Sequence, residues 1–157
     1  MDIRLLEGRD IDEAMQLVRD VFNEFEAPEY SRQGIDEFHS FIEPEAITAK
    51  MNHKELMLWG GYESGLLTGL IAVRARAEAG CYDHICLLFV KKEYHLRGIA
   101  RRLFAEAKKA CAKSGAAYIT VNSSPYAQEA YRRLGFTDAG GEQTVNGIRF
   151  FPMKCVL

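Results

Sequence analysis

His95-Leu96-Arg97-Gly98-Ile99-Ala100 has the residue types and setting of a phosphate-binding turn. The run before it, Ile85-Cys86-Leu87-Leu88-Phe89-Val90, is unbroken apolar and strand-like, and ends at Lys91-Lys92-Glu93. After it, apolar residues fall at Ile99, Ala100, Leu103, Phe104, Ala107, Ala110 and Cys111, the three-and-four spacing of a helix with one buried face. A glycine turn that opens a helix leaves the first-turn N–H groups unpaired and aimed outward, at the positive end of the helix dipole. Such a turn holds a phosphate or pyrophosphate. An isolated glycine more often merely starts a helix, so the setting is what gives Gly98 its weight.

A second block stands further along. Tyr118-Ile119-Thr120-Val121-Asn122 reads as a strand, followed by Ser124-Pro125-Tyr126-Ala127-Gln128-Glu129-Ala130-Tyr131-Arg132-Arg133-Leu134-Gly135-Phe136. The two blocks together resemble the GNAT superfamily of N-acetyltransferases. That family carries Gln or Arg, two residues, Gly, one residue, then Gly or Ala between its fourth strand and the next helix. Arg97-Gly98-Ile99-Ala100 is similar to the end of that pattern, with His95 in the lead place. In the second block Ala127, Tyr131, Gly135 and Phe136 match in register, and Ser124 stands where Asn is commonest. The blocks lie in the family's order and span residues 84–136, about a third of the chain.

The resemblance implies acetyl-CoA as co-substrate. Amides of residues 97–101 would hold its pyrophosphate, so the expected loop is His95, Leu96, Arg97, Gly98, Ile99, Ala100 and Arg101. Leu88, Phe89 and Val90 match the segment that pairs with the pantetheine arm, and an amide near Leu88 would stabilise the developing oxyanion. Asn122, Ser124 and Ala127 fall where the cofactor enters between the splayed strands. Tyr131 occupies the family's general-acid position, although it also shares the apolar face of Ala127 and Leu134, where it would pack. For the general base, Asp83, Glu55 and His84 all remain open.

Composition bounds the alternatives. The 157 residues suit one domain, 1–157, with 48% apolar and 27% charged residues. A net charge of −2 gives no electrostatic case for nucleic acid. No apolar run approaches a membrane span, and the acidic start is unlike a signal peptide, so a cytoplasmic enzyme with no membrane partner is expected. Cys81, Cys86, Cys111 and Cys155 are scattered, and His39, His53, His84 and His95 lack ligand spacing, so neither a disulfide scaffold nor a metal is expected. A homodimer is within the family's range. The other readings are an acyl-CoA-binding sensor without turnover, and a nucleotide-binding module, which the absence of the usual phosphate-loop glycine patterns disfavours.

The elements that must position these residues follow in order. A short strand at Ile3–Leu6 precedes a helix from about Ile11 to Phe25, with Asp10 as N-cap, and then a second helix from Ser31 to Ile42 burying Ile35, Phe38, Phe41 and Ile42. Residues 44–53 are ambiguous, with a short helix one option. A hairpin of 56–62 and 66–74 turns at Glu63-Ser64-Gly65, and a polar connection covers 75–83. The apolar strand 84–90, the loop and its helix follow, ended by Ser114-Gly115. Strand 117–122 comes next, then a helix capped by Ser124 with Pro125 at its first position. Strands 136–145 and 148–156 meet at Asn146-Gly147. The order β-α-α-β-β-β-α-β-α-β-β gives an α/β fold, a mixed, mostly antiparallel sheet flanked by helices, as the GNAT resemblance implies. The first helices and last hairpin would wall the acceptor side, where Phe22, Phe25, Glu24, Glu26, Tyr30 and Phe38 favour a cationic amine.

Overall fold

Burial at every position from Leu67 to Val73 gives a sheet covered on both faces. The computed structural model describes residues 1–76 and 81–157. Its elements are β1 (Asp2–Leu5), α1 (Ile11–Phe25), α2 (Arg32–Phe41), α3 (Pro44–Asn52), β2 (Leu56–Glu63), β3 (Leu66–Arg76), β4 (Cys81–Val90), α4 (Ile99–Lys113), β5 (Tyr118–Ser123), α5 (Gln128–Leu134), β6 (Thr137–Asp138), β7 (Gln143–Val145) and β8 (Ile148–Val156). The strand order is β1-β2-β3-β4-β5-β8-β6, with β7 also on β8. Every neighbouring pair is antiparallel except β4 with β5.

On β3, Leu70 and Ala72 pack on one side of the sheet and Ile71 and Val73 on the other. The first side takes α1, whose Ile11, Ala14, Val18 and Phe22 recur every three or four residues and are all buried. The second takes α4 through Leu103, Phe104, Ala107 and Cys111, against Ile119, Val121 and Met153. Burying a large aliphatic side chain contributes about 1.5–3 kcal/mol, so these two layers dominate the fold's stability.

The structure adds to the expected order and corrects it in places. The ambiguous 44–53 segment is α3, started by Pro44 at its first position. β3 runs on to Arg76 and β4 begins at Cys81, so most of the expected 75–83 connection is strand. The rest of it, 77–80, lies outside the described residues. Ser124 does not cap α5 directly. Its hydroxyl accepts the Ala127 N–H at 3.1 Å within a turn through Pro125, and the helix begins at Gln128. The strand expected over 136–145 divides into β6 and β7. Pro152 on β8 has no N–H to continue the ladder, and Gly140-Gly141 lets the chain leave and return.

Candidate active site

β4 contains the irregularity on which the site is built. Ala72 of β3 faces Leu87 while Val73 faces Ile85, so Cys86 is an extra residue without a partner. The bulge exchanges the strand's faces: Ile85 packs in the α4 layer, whereas Cys86, Leu87 and Phe89 pack in the α1 layer. At the same point β4 loses its other neighbour. It pairs with β5 only at His84 with Thr120 and Ile85 with Val121, and beyond them the two parallel strands separate. From Cys86 to Val90, β4 is therefore held by β3 on one edge and open on the other. An open edge presents unpaired N–H and C=O groups to an extended ligand.

The opening is a cleft of about 720 Å³. Leu88, Phe89 and Val90 line it from β4, and Asn122 and Ser124 from the end of β5. Ala127 and Tyr131 line it from α5 and the turn before it, and His95, Leu96, Gly98, Ile99, Ala100 and Arg101 lie at its α4 end. The structure thus brings together every expected site residue except Arg97, whose guanidinium lies over the Tyr94 ring at 5.1 Å beside the same loop.

The loop is shaped for its place. Gly98 is the N-cap of α4 in the left-handed region, φ +77, and the first intrahelical bond runs from the Arg102 N–H to the Gly98 carbonyl. The amides of Ile99, Ala100 and Arg101 consequently have no intrahelical acceptor. Leu96 also has positive φ and is fully exposed. His95, in the family's lead place, serves the loop from within: its Nε2 donates to the Val90 carbonyl at 2.7 Å, tying loop to strand end. Arg101 donates to the Arg133 carbonyl at 2.9 Å and so joins α4 to the end of α5.

Tyr131 is 7% exposed and packs edge-on against Phe136. Among the described residues its hydroxyl makes no hydrogen bond, and no buried side-chain oxygen is left unpaired, so the hydroxyl opens on the cleft. Burial, then the nearby Glu26 charge, pushes this phenol well above the ordinary tyrosine range, so it carries its proton at neutral pH. Tyr30 shifts upward for the same two reasons in the same order.

Of the three carboxylate or imidazole options near β4, only His84 lines the cleft, with Nδ1 2.8 Å from Thr120 Oγ1. Asp83 is buried on the other face, where its field reaches Cys111, and Glu55 is exposed outside the cleft. Cys86 faces the cleft, but burial pushes its thiol up to about 11, so it is no thiolate at neutral pH. Among the described residues no three His, Cys, Asp or Glu side chains gather as metal ligands, and no helix is long and apolar enough to cross a membrane.

The opposite wall comes from α1, α2 and the β7–β8 hairpin. Phe25, Glu26, Tyr30, Phe38 and Phe41 line it. Phe38 and Phe41 are only half-buried because they face this space, and Ile42 alone of the expected apolar set is fully inside. Phe22 belongs to the core and supports Phe38 by stacking at 4.0 Å. Glu24 turns outward to Lys92, at 3.2 Å. Glu26 turns inward, and sequence reasoning did not separate the two. The available signal was helical spacing: Ala14, Val18, Phe22 and Glu26 recur every four residues, which puts a carboxylate at the end of the buried stripe.

The family model for the acetyltransferase (GNAT) domain matches residues 26–157. No curated protein matches the chain. Among solved structures, a GCN5-related N-acetyltransferase from Rhodopseudomonas palustris superimposes with a TM-score of 0.82 at 18% identity, covering 99% of this chain and 95% of that one. The PaiA N-acetyltransferase of Thermoplasma acidophilum, in complex with coenzyme A, gives 0.79 at 19% identity over all of both chains. An aminoglycoside 6'-N-acetyltransferase complexed with coenzyme A gives 0.73 at 15% identity, covering 99% and 97%.

Proposed function

Because the chain belongs to the GNAT acetyltransferase family, we propose that it transfers the acetyl group of acetyl-CoA directly to a primary amine of a small molecule or peptide, with Tyr131 as general acid. The observation that carries this reading is the separation of β4 from β5 at the Cys86 bulge, with the Tyr131 hydroxyl facing the gap and the α4 N-terminus at its end.

Acetyl-CoA enters with its pyrophosphate on the amides of Ile99, Ala100 and Arg101, where the helix dipole favours negative charge. The pantetheine arm extends along the open edge of Leu88, Phe89 and Val90 and passes Asn122, Ser124 and Ala127. Fixing both reactants in one cleft makes the reaction effectively unimolecular, which lowers the barrier by up to ~7–11 kcal/mol. The amine attacks the thioester carbon, a β4 amide near Leu88 stabilises the oxyanion, and the C–S bond breaks as Tyr131 gives its proton to the thiolate. Direct attack agrees with the protonated state of Cys86, which disfavours an acyl-cysteine intermediate.

The test is thiol release from acetyl-CoA with a panel of amines, with the N-acetylated product identified by mass spectrometry. Amine-dependent release with one amide formed per thiol is expected. Tight acetyl-CoA binding with no transfer to any amine would favour a sensor on the same fold instead.

A further inference from the structure

The wall opposite β4 brings the Glu26 carboxylate into the cleft that Tyr131 also lines. Glu26 follows α1 in helical conformation, its N–H bonded to the Phe22 carbonyl, and lines the cleft. Ser124, in the turn after β5, lines the same cleft, and its hydroxyl favours the charged form of the carboxylate. The Glu26 charge is felt by Tyr131 on α5 and by Tyr30 beyond α1. Glu26 and Tyr131 both line the one cleft.

The other charged groups around it are accounted for element by element. From β4 come His84, held near Thr120, and the neutral Cys86 thiol. β3 supplies Arg74 and α2 supplies Glu37, whose carboxylate lies 3.5 Å from the Asn146 amide. Arg149 on β8 binds Glu142 and Glu29 and acts on Tyr30 from outside. Lys50 lies over the Phe41 ring at 5.0 Å. The charged side chains that line this end, Glu26, Glu37 and Arg74, leave one net negative charge, which suits a single ammonium group and not a polycation. Phe38 and Phe41 line the same end.

Resting on the acetyltransferase reading, we propose that Glu26 receives the ammonium group of the acceptor and takes up its proton, and that the acceptor is a monoamine whose apolar or aromatic body lies against Phe38 and Phe41. The proton balance closes. One ammonium proton passes to the Glu26 carboxylate, and the neutral amine forms the C–N bond to the thioester carbon. The C–S bond then breaks, the thiolate takes the Tyr131 proton, and the second nitrogen proton, lost as the amide forms, restores the phenol. Glu26 releases its proton to solvent with the products.

Burial raises the Glu26 pKa above the ordinary carboxylate range, only partly opposed by the Ser124 hydroxyl, which brings the group closer to neutrality as a base. Activity should accordingly fall with decreasing pH through a group titrating above ordinary carboxylates. The linked stability has the opposite sign. A raised folded-state pKa means that the charged form is disfavoured in the folded protein, so this group's penalty is absent at low pH and fully present above its folded pKa.

Glu26→Gln keeps the size and one carbonyl oxygen. With phenethylamine as acceptor, the variant should lose roughly 10²–10⁴-fold in turnover and lose the acid limb of the pH profile. It should bind acetyl-CoA as wild type does, and gain stability relative to wild type as pH rises through the Glu26 titration. The panel also includes spermidine and kanamycin, which should react more slowly than phenethylamine. Equal turnover and an unchanged acid limb in a Gln variant that binds acetyl-CoA would overturn the role of Glu26, and faster acetylation of either polycation would overturn the monoamine class. Absence of transfer to every amine by the wild type would overturn the acetyltransferase reading itself.

Discussion

The backbone around Gly98 and His95 explains why each residue stands where it does. Gly98 has φ +77, and a Cβ there would meet no protein atom within 4 Å. Its identity is therefore set by the left-handed turn and, on the reading above, by close approach of the pyrophosphate. Gly98→Val places a β-branched side chain in that conformation and above the anion site. Affinity for CoA should fall much more than affinity for pantetheine, which lacks the pyrophosphate, when both are measured by calorimetry. An equal loss for the two would move the phosphates elsewhere. His95 shows the complementary case: its position was legible from the motif, but its hydrogen bond to the Val90 carbonyl was not, because that contact depends on how the loop folds back on the strand.

At the scale of elements, the wall proposed to receive the acceptor depends on a clasp between α2 and the β7–β8 hairpin. Gly34 on α2 packs so closely on the turn that a Cβ would lie 2.2 Å from the Gly147 carbonyl oxygen. Ser31 caps α2 by accepting the Gly34 N–H at 3.2 Å and donates to that same carbonyl at 3.3 Å. Gly34→Ala must push the hairpin away, at a cost of about 1–3 kcal/mol for a forced contact. The expected signature is a lower unfolding midpoint and a raised KM for the acceptor with an unchanged acetyl-CoA dissociation constant. A rise in the acetyl-CoA constant alone would place the clasp on the wrong side of the cleft. The Asn146-Gly147 turn was legible because both its central residues take positive φ, at 52 and 81. Its partner was not, since Gly34 marks a contact across the fold rather than a turn. α3 was equally opaque, because Ile47 is its one fully buried residue and leaves almost no periodic signal.

Across the whole molecule, the half of the cleft proposed to bind acetyl-CoA was the more legible half. Its strand, glycine turn and helix are contiguous in sequence, so periodicity and turn chemistry report on them together. The acceptor half is assembled from the end of α1, from α2, and from a hairpin more than a hundred residues later, and no local pattern records that meeting. Glu24 and Glu26 look alike in the chain; only the sheet beneath α1 decides that one pairs with Lys92 at the surface and the other enters the cleft. The Cys86 bulge is likewise silent in an apolar run, although it turns the strand and opens the gap.

The two halves meet at Tyr131, whose hydroxyl, on the proposed function, protonates the departing thiolate in a cleft that holds both reactants. Tyr131→Phe removes that oxygen and keeps the ring against Phe136. Turnover and the acetyl-CoA dissociation constant should be measured on the same preparation, with an amine that the wild type acetylates. The expected result is a loss of roughly 10²–10⁴-fold in kcat, with the dissociation constant moving by less than about 1 kcal/mol, the scale of one hydrogen bond. Wild-type kcat in the Phe variant would contradict that role.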